Sequence, residues 1–274
     1  MAKTMTAMSP RASALDQFRL DGRIAFVSGA AGHLGRAMTL ALAQAGAEVV
    51  VNGRNDARLE EFESELKSAG HRVTRAAFDV ADITVTRRFF AGLARLDILV
   101  NNAISMMPKP FAALEPGDFD ETYRSAVTAS FEAVRAALPA LRAGVAAAGE
   151  ASVINIASMY GAVSPDKRIY SKPEQASPFH YGPAKAALLQ LTRHLAAELG
   201  PEHIRVNALV PGPFPRGEVA ANDPGFAQRL ADRTMLHRTG RPEEIGGPLL
   251  FLASQASSFV TGSALAADGG WAAW

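Results

Sequence analysis

The sequence predicts an α/β protein built on a single doubly wound parallel sheet, Rossmann-like in plan, with helices on both faces. From Arg23 onward, short apolar runs alternate with longer amphipathic stretches, as parallel strands joined by helical crossovers require. The predicted strands are almost wholly apolar, which is typical of strands covered by helices on both sides. Hydrophobic residues make up 48% of the 274 residues and charged residues 20%, so disorder along the whole chain is excluded.

The first half of the chain contains four predicted strands and three predicted helices. The second of these helices repeats apolar side chains at intervals of three and four, at Leu59, Phe62 and Leu66, and Gly70 ends it. The predicted strands span residues 24–27, 48–51, 72–78 and 96–100, and the helices span residues 35–45, 56–69 and 83–93.

The second half continues the alternation and adds two long irregular stretches. A helix over residues 119–141 is predicted because Val127, Phe131 and Val134 recur at intervals of four and three. The remaining helices span residues 185–199 and 243–253, and the strands span residues 152–156, 204–209 and 264–267. The stretches 162–177 and 211–225 are rich in Pro, Gly, Ser and charge. Loops of this length in a compact domain are more often functional than idle.

No change in composition marks a second domain. We therefore expect a flexible leader at residues 1–17 and a single domain at residues 18–274. The chain holds 28 Lys and Arg against 27 Asp and Glu, and this net charge of +1 argues against nucleic acid or an anionic membrane as a partner. The absence of cysteine excludes disulfides and Cys-ligated metals, and the histidines lack metal-ligand spacing.

No apolar run approaches the roughly 18–20 residues that span a bilayer. Residues 1–17 also lack the continuous apolar stretch of a secretory signal, so we expect a cytoplasmic protein. Organelle targeting is the alternative for this segment, because it is poor in acidic residues.

A glycine-rich segment, Ser-Gly-Ala-Ala-Gly-His-Leu-Gly, follows the first predicted strand and opens the first helix. Glycines there permit a tight turn and close approach of the backbone to a pyrophosphate, and the helix start offers unpaired N–H groups to the anion. The alternative is a turn that binds nothing. We assign this loop to a dinucleotide, with Ser28, Gly29, Ala31, Gly32, His33, Leu34 and Gly35 as binding residues.

The end of the second strand bears on which dinucleotide is bound. An acidic residue there favours NAD, because it hydrogen-bonds the adenosine ribose, whereas an Arg can pair with the 2′-phosphate of NADP. This strand ends in Asn52, Gly53 and Arg54. We assign Asn52 and Arg54 to the cofactor and expect NADP(H) to be preferred, with NAD(H) possible. The alternative is that Arg54 is only a solvated residue at a strand end.

Tyr181 and Lys185 lie four residues apart, on one face of a predicted helix. A nearby cation favours the phenolate, which lowers the pKa of a tyrosine and suits it to proton transfer. Ser158 follows the fifth strand, where a ligand binds in sheets of this kind, and its hydroxyl can hold a substrate oxygen. Taken singly, the pair is equally a surface pair and the serine a turn residue.

Together these stretches resemble the short-chain dehydrogenase/reductase family in its single-domain form, from about Phe18 to the end. The resemblance implies that Ser158 orients a substrate carbonyl, Tyr181 acts as acid and base, and Lys185 binds the nicotinamide ribose. It also implies a homo-oligomer, dimer or tetramer, and a small-molecule substrate. The remaining cofactor residues that it implies are Asp79 and Val80 near the adenine, Asn101 and Ala103, and Pro211 and Gly212.

Two of the chain's departures from the family pattern bear on its chemistry. His33 stands where the family has the middle glycine of its loop, and we expect its side chain on the outer side of the loop. Ala126 stands where the family has an Asn that holds a water in a proton relay, so the relay must run through Ser125, Thr128 or water alone. A non-catalytic NADP(H)-binding regulatory protein is therefore the alternative function.

Tyr181 follows Ser158 by 23 residues, against about a dozen in most of the family. The extra residues resemble those of gluconate and other sugar dehydrogenases. Asp166, Lys167 and Arg168 in this segment suggest a polar or anionic substrate, such as a sugar or a hydroxy acid, and the alternative is a solvated charge cluster.

The resemblance makes residues 211–225 a substrate lid, in which Arg216 can steer an acid group. It also places the oligomer contact on the long helix and the Tyr181 helix. We expect Trp271 and Trp274 to lie exposed in an interface.

Overall fold

The computed structural model describes residues 13–171, 176–217, 223 and 225–274. Most of the expected leader, residues 1–12, lies outside the described residues, as do residues 172–175 of the extra segment and most of residues 218–224 of the lid. The strands are β1 Ile24–Val27, β2 Glu48–Gly53, β3 Val73–Ala77, β4 Ile98–Asn101, β5 Ala151–Ile156, β6 Ile204–Pro211 and β7 Ala264–Ala267. The helices are α1 His33–Gln44, α2 Asp56–Ser68, α3 Ile83–Ala91, α4 Pro116–Tyr123, α5 Ala129–Ala148, α6 Tyr181–Leu199, α7 Phe226–Asp232 and α8 Gly246–Ala253.

The seven strands form one parallel sheet in the order β3-β2-β1-β4-β5-β6-β7. The chain reverses its direction across the sheet between β1 and β4, where Ala25 pairs with Val49 on one side and Ile98 on the other. In open sheets of this kind, ligands bind outside the carboxyl ends of the strands at such a reversal. The predicted doubly wound parallel sheet is confirmed, and its topology places a binding site above β1 and β4.

Helices cover both faces of the sheet, and each face has its own core. Helices α1, α2 and α8 pack on one face, where Met38, Phe62 and Leu249 are almost fully buried. Helices α3, α5 and α6 pack on the other face, around side chains such as Phe90 and Leu141. Burial on both sides explains why the strands read as continuous apolar runs.

The predicted helix over residues 119–141 is longer than expected and has three parts. It begins at Pro116, where Glu115 and Asp118 form a capping box, and it ends at Gly149, whose φ of 82° is left-handed. A π-helical turn, Arg124–Thr128, separates α4 from α5. Such turns insert one residue into a helix and are frequent at functional sites.

One expectation about exposure is corrected, and one helix is additional to those predicted. Helix α7 directly follows the stretch 211–225. Trp271, expected in an exposed interface, is only 2% exposed and packs with Met159, Ile169 and Leu230, whereas Trp274 is 62% exposed. No helix in the described part of the chain is long and apolar enough to cross a membrane.

Candidate active site

A cleft of about 510 Å³ opens at the carboxyl ends of β1, β2, β4, β5 and β6. It extends from the glycine-rich loop, past the Tyr181 helix, to the loop that follows β6. Most of the residues assigned to the cofactor and to catalysis line this cleft. They are Gly29, Gly32, His33, Leu34, Gly35, Asn52, Arg54, Asp79, Val80, Ala103, Ser158, Tyr181, Lys185, Pro211 and Gly212.

The glycine-rich loop makes a tight turn that leaves the start of α1 open. Gly29 has a left-handed φ of 64°, and a Cβ at Gly35 would lie 2.1 Å from the carbonyl oxygen of Gly29. Gly32 caps α1 without any side-chain hydrogen bond, and the first turn carries no acidic residue. The exposed backbone N–H groups and the positive end of the helix dipole fit a pyrophosphate.

Ser28 and Ala31 belong to the loop but do not line the cleft. The Ser28 hydroxyl accepts hydrogen bonds from the backbone N–H groups of Asn102 (2.9 Å) and Ala103 (3.0 Å). It also donates to the carbonyl of Val100. Ser28 therefore ties the end of β1 to the segment after β4, and Ala31 is buried beneath the loop.

Asn101 likewise does not line the cleft. Its side chain donates to Asn155 Oδ1 (2.9 Å), and Asn155 donates in turn to Thr192 Oγ1 (3.0 Å). This buried chain of amides and a hydroxyl joins β4, β5 and α6 beneath the site. The neighbouring Asn102, which the sequence analysis did not assign, lines the cleft and donates to the carbonyls of Ser28 and Gly29.

One end of the cleft suits the adenosine half of a dinucleotide. Asn52 is buried and donates to the carbonyls of Ala76 and Phe78, which fixes the ends of β2 and β3 together. Arg54 is 68% exposed, with its Nη1 3.9 Å from Asp79 Oδ2. The guanidinium therefore remains available to a phosphate. The Asp79 carboxylate beside it keeps the guanidinium in position.

Ser158, Tyr181 and Lys185 meet at the other end of the cleft. Ser158 follows β5, Tyr181 is the first residue of α6, and Lys185 lies one turn further along. The Lys185 ammonium is 5.7 Å from the centre of the Tyr181 ring, on the same face of the helix. A hydroxyl, a phenol and an ammonium thus converge where a substrate carbonyl can enter.

The electrostatics of this triad differ from expectation. Burial raises the pKa of Tyr181, against the opposing effect of a hydrogen bond with Ser158. Burial also lowers the pKa of Lys185 to about 8. The cation was expected to lower the pKa of Tyr181, but desolvation dominates in this site. Tyr181 is therefore a protonated acid at neutral pH.

The π-helical turn brings Ser125, not Ala126, to the cleft. Ser125 accepts a hydrogen bond from the N–H of Ser105 (3.0 Å) and lines the site, whereas Ala126 is buried against Ala184 and Leu188. Neighbouring residues that the sequence analysis left unassigned complete the wall; they are Gly53, Phe78, Ile104, Ser105, Met106, Ile156, Ala157 and Phe214. No periodic signal in the sequence marks these positions.

Asp166, Lys167 and Arg168, the charged residues described in the extra segment, do not line the cleft. Asp166 caps the turn Lys167–Ile169 and pairs with Arg168, which holds the pKa of Asp166 at about 2. These two charges pair within a local turn, and the Tyr160 and Tyr170 hydroxyls of the same segment lie 2.9 Å apart.

The loop after β6 forms the opposite lip of the cleft. Pro211, Gly212 and Arg216 line it, and Arg216 is exposed. His33, expected on the outer side of its loop, instead lines the cleft, with its Nε2 3.0 Å from the carbonyl oxygen of Phe214. In the described part of the chain, no cluster of His, Asp and Glu can hold a metal ion.

Comparisons with known proteins find relatives along nearly the whole chain. A family model described as enoyl-(acyl carrier protein) reductase matches residues 29–272. The chain is 35% identical over 260 residues to a rhamnolipids biosynthesis 3-oxoacyl-(acyl-carrier-protein) reductase of Pseudomonas aeruginosa, covering 93% of this chain and 98% of that protein. It is 33% identical over 261 residues to gluconate 5-dehydrogenase of Gluconobacter oxydans, covering 93% and 96%.

Solved structures show the same fold at similar identity. A gluconate 5-dehydrogenase from Burkholderia cenocepacia, crystallised in complex with NADP and tartrate, superposes with a TM-score of 0.83 at 32% identity, covering 96% of this chain and all of that one. The resemblance drawn from the sequence motifs is confirmed over nearly the whole chain. The chain belongs to the short-chain dehydrogenase/reductase family, whose members are oxidoreductases.

Proposed function

We propose that this protein is an NADP(H)-dependent oxidoreductase that interconverts a ketone and a secondary alcohol on a polar, sugar-like or hydroxy-acid-like substrate. The observation that carries the proposal is that one cleft holds both sets of residues. Ser158, Tyr181 and Lys185 occupy one end of it, and the glycine-rich loop and Arg54 occupy the other. A protein that only binds a nucleotide has no need of the three polar groups at the far end.

The chemistry of the three residues follows from their protonation. When bound, the nicotinamide supplies hydride to the substrate carbon or removes it. Ser158 donates a hydrogen bond to the carbonyl oxygen, and Tyr181, kept protonated by burial, delivers the proton to that oxygen. The Lys185 ammonium, 5.7 Å from the ring, stabilises the phenolate that remains. For oxidation the same groups act in reverse.

Our preference for NADP(H) over NAD(H) rests on Arg54. It is exposed at the end of β2, beside the adenosine end of the cleft, and a guanidinium there suits the 2′-phosphate. The gluconate 5-dehydrogenase of Burkholderia cenocepacia was crystallised with NADP, which supports the same choice for this chain. NAD(H) stays possible as a weaker cofactor.

The polar substrate is supported by the free cation at the lip of the cleft. Arg216 is exposed, lines the site and has no ion-pair partner within the described ranges. An anionic or strongly polar substrate would satisfy this charge. Related proteins named as gluconate and galactitol dehydrogenases act on substrates of this class.

We further propose a single catalytic domain from residue 18 onward, in a cytoplasmic homo-oligomer, dimer or tetramer. Helices α4 and α5 expose Phe119 (38%), Tyr123 (49%) and Phe131 (38%). Exposed aromatic side chains on adjoining helical turns are typical of subunit interfaces. Light scattering on the purified protein tests this, and a monomer at micromolar concentration would contradict it.

The function is tested by following NADPH oxidation against ketones, keto-sugars and keto-acids, with NADPH deuterated at C4 of the nicotinamide. We expect a polar ketone to be reduced, with deuterium recovered on the carbinol carbon. The competing function is a binding protein without turnover. Tight NADPH binding without turnover on any compound would favour that competitor over our proposal.

A further inference from the structure

His33 occupies an unusual place between the two lips of the cleft. It is the first residue of α1, at the end of the helix whose N–H groups are open to an anion. Its side chain lines the cleft and reaches the backbone carbonyl of Phe214, on the loop after β6. The imidazole therefore connects the glycine-rich loop to the loop that carries Arg216.

This hydrogen bond determines the protonation of one of the two ring nitrogens of His33. A backbone carbonyl can only accept, so Nε2 must carry a hydrogen in this contact. A neutral ring then has a lone pair on Nδ1, and Nδ1 has no hydrogen-bond partner among the residues that the structure describes. Such a ring repels an anion at the helix start until Nδ1 takes up a proton.

The charged groups around this position do not already neutralise an anion there. On α1 itself, Arg36 is paired with Glu65 of α2 and stacks on the ring of Phe62. On the turn Pro242–Ile245, which packs against α1, Glu244 is held by Arg238. Glu243 of the same turn is exposed. Of the other elements that contact α1, α8 and β1 have no charged residue, and β2 has only Glu48, at its amino end and away from the cleft.

The remaining charged residues line other parts of the same cleft. Arg54 lies beside Asp79 at the adenosine end, and Lys185 donates to the carbonyl of Ile156 at the catalytic end. Arg216, on the opposite lip, is permanently charged and cannot exchange a proton. His33 is thus the titratable group that stands at the start of α1.

We propose that His33 is a ligand of the cofactor pyrophosphate and takes up a proton on Nδ1 when the cofactor binds. The inference rests on the proposed function, since it needs a dinucleotide in this cleft. A pyrophosphate bears two negative charges, and a histidine titrates close enough to neutral pH for such an anion to protonate it. In this bound state, His33 connects the glycine-rich loop to Phe214 and keeps the cleft closed over the phosphates.

The test is calorimetric titration of the full-length protein with NADPH at about pH 7, in two buffers of different ionisation enthalpy. The dependence of the observed enthalpy on the buffer gives the number of protons taken up. The matched control is His33→Gln, which keeps an N–H donor for the Phe214 carbonyl but cannot titrate. Protons exchanged by Lys185, Asp79 or the 2′-phosphate are common to both proteins and cancel in the difference.

We expect the wild type to take up about 0.5 to 1 proton more than His33→Gln, and to bind NADPH about 5- to 20-fold more tightly. Equal proton counts in two proteins that both bind NADPH would overturn the role of His33 and leave the proposed function intact. Failure of the wild type to bind NADPH would instead overturn the proposed function. His33→Asn, checked by circular dichroism, replaces His33→Gln if that variant does not fold.

Discussion

The ammonium of Lys185 donates a hydrogen bond to the backbone carbonyl of Ile156, with 2.6 Å between Nζ and the oxygen. Lys185 is only 3% exposed, so its charge is stabilised mainly by this carbonyl at the end of β5. The strand that carries Ile156 also leads to Ser158, and the helix that carries Lys185 begins at Tyr181. One contact therefore fixes the spacing of all three polar groups.

Burial of Lys185 should make the stability of the protein depend on pH. Its pKa falls from 10.5 to about 8 on folding. Between about pH 8 and pH 10.5 the unfolded chain keeps this proton and the folded chain has lost it, so the free energy of unfolding rises with pH over this interval. Below about pH 8 the buried charge costs roughly 3 kcal/mol.

Urea unfolding of wild type and Lys185→Met measures this cost. We expect the variant to be more stable than wild type at about pH 7 and the difference to shrink by about pH 10. Lys167→Met, at an exposed lysine, serves as the control and should show no such trend. A stability difference for Lys185→Met that is the same at both pH values would refute the assignment.

Ser28→Ala should destabilise the fold by about 2–3 kcal/mol, because it leaves two backbone N–H groups without their acceptor. Ser28→Thr keeps the hydroxyl and should stay within about 1 kcal/mol of wild type. Chemical unfolding monitored by circular dichroism compares the three proteins. An equal loss of stability in Ser28→Ala and Ser28→Thr would mean that the hydroxyl contributes nothing and that only packing changed.

Arg54→Ala should weaken NADPH binding about 10- to 100-fold, since hydrogen bonds to a charged group contribute about 1.5–3 kcal/mol. NADH binding should hardly change, because NADH lacks the 2′-phosphate. Fluorescence titration with each nucleotide measures both affinities. Arg58→Ala, at an exposed arginine in the first turn of α2, is the matched control. A parallel loss for NADH and NADPH would contradict the role given to Arg54.

The elements of this fold are predictable because the strands are continuous apolar runs, whereas the helices repeat apolar side chains every three or four residues. The direction of single side chains at the ends of strands is not predictable in the same way. Asn101 and Asn102 are adjacent, yet Asn101 turns inward to Asn155 and Asn102 lines the cleft. The π-helical turn has a similar effect, since it presents Ser125 to the cleft and buries Ala126.

Contacts between distant segments are the other part that sequence reasoning missed. Nothing local to His33 indicates that the loop after β6 approaches it, because Phe214 is 181 residues away. The charges at Asp166 and Arg168 suggested a substrate site, but they neutralise each other through a local turn. Charge in a loop marks a binding site only when the fold leaves that charge without a partner.

The central claim is that Tyr181 is the acid and base of a working oxidoreductase, and Tyr181→Phe tests it most directly. The variant keeps the ring and removes only the hydroxyl, so NADPH affinity should stay close to that of wild type. The turnover number for the best ketone should fall by at least about 100-fold. Turnover within a few-fold of wild type, in a variant that binds NADPH normally, would contradict the account.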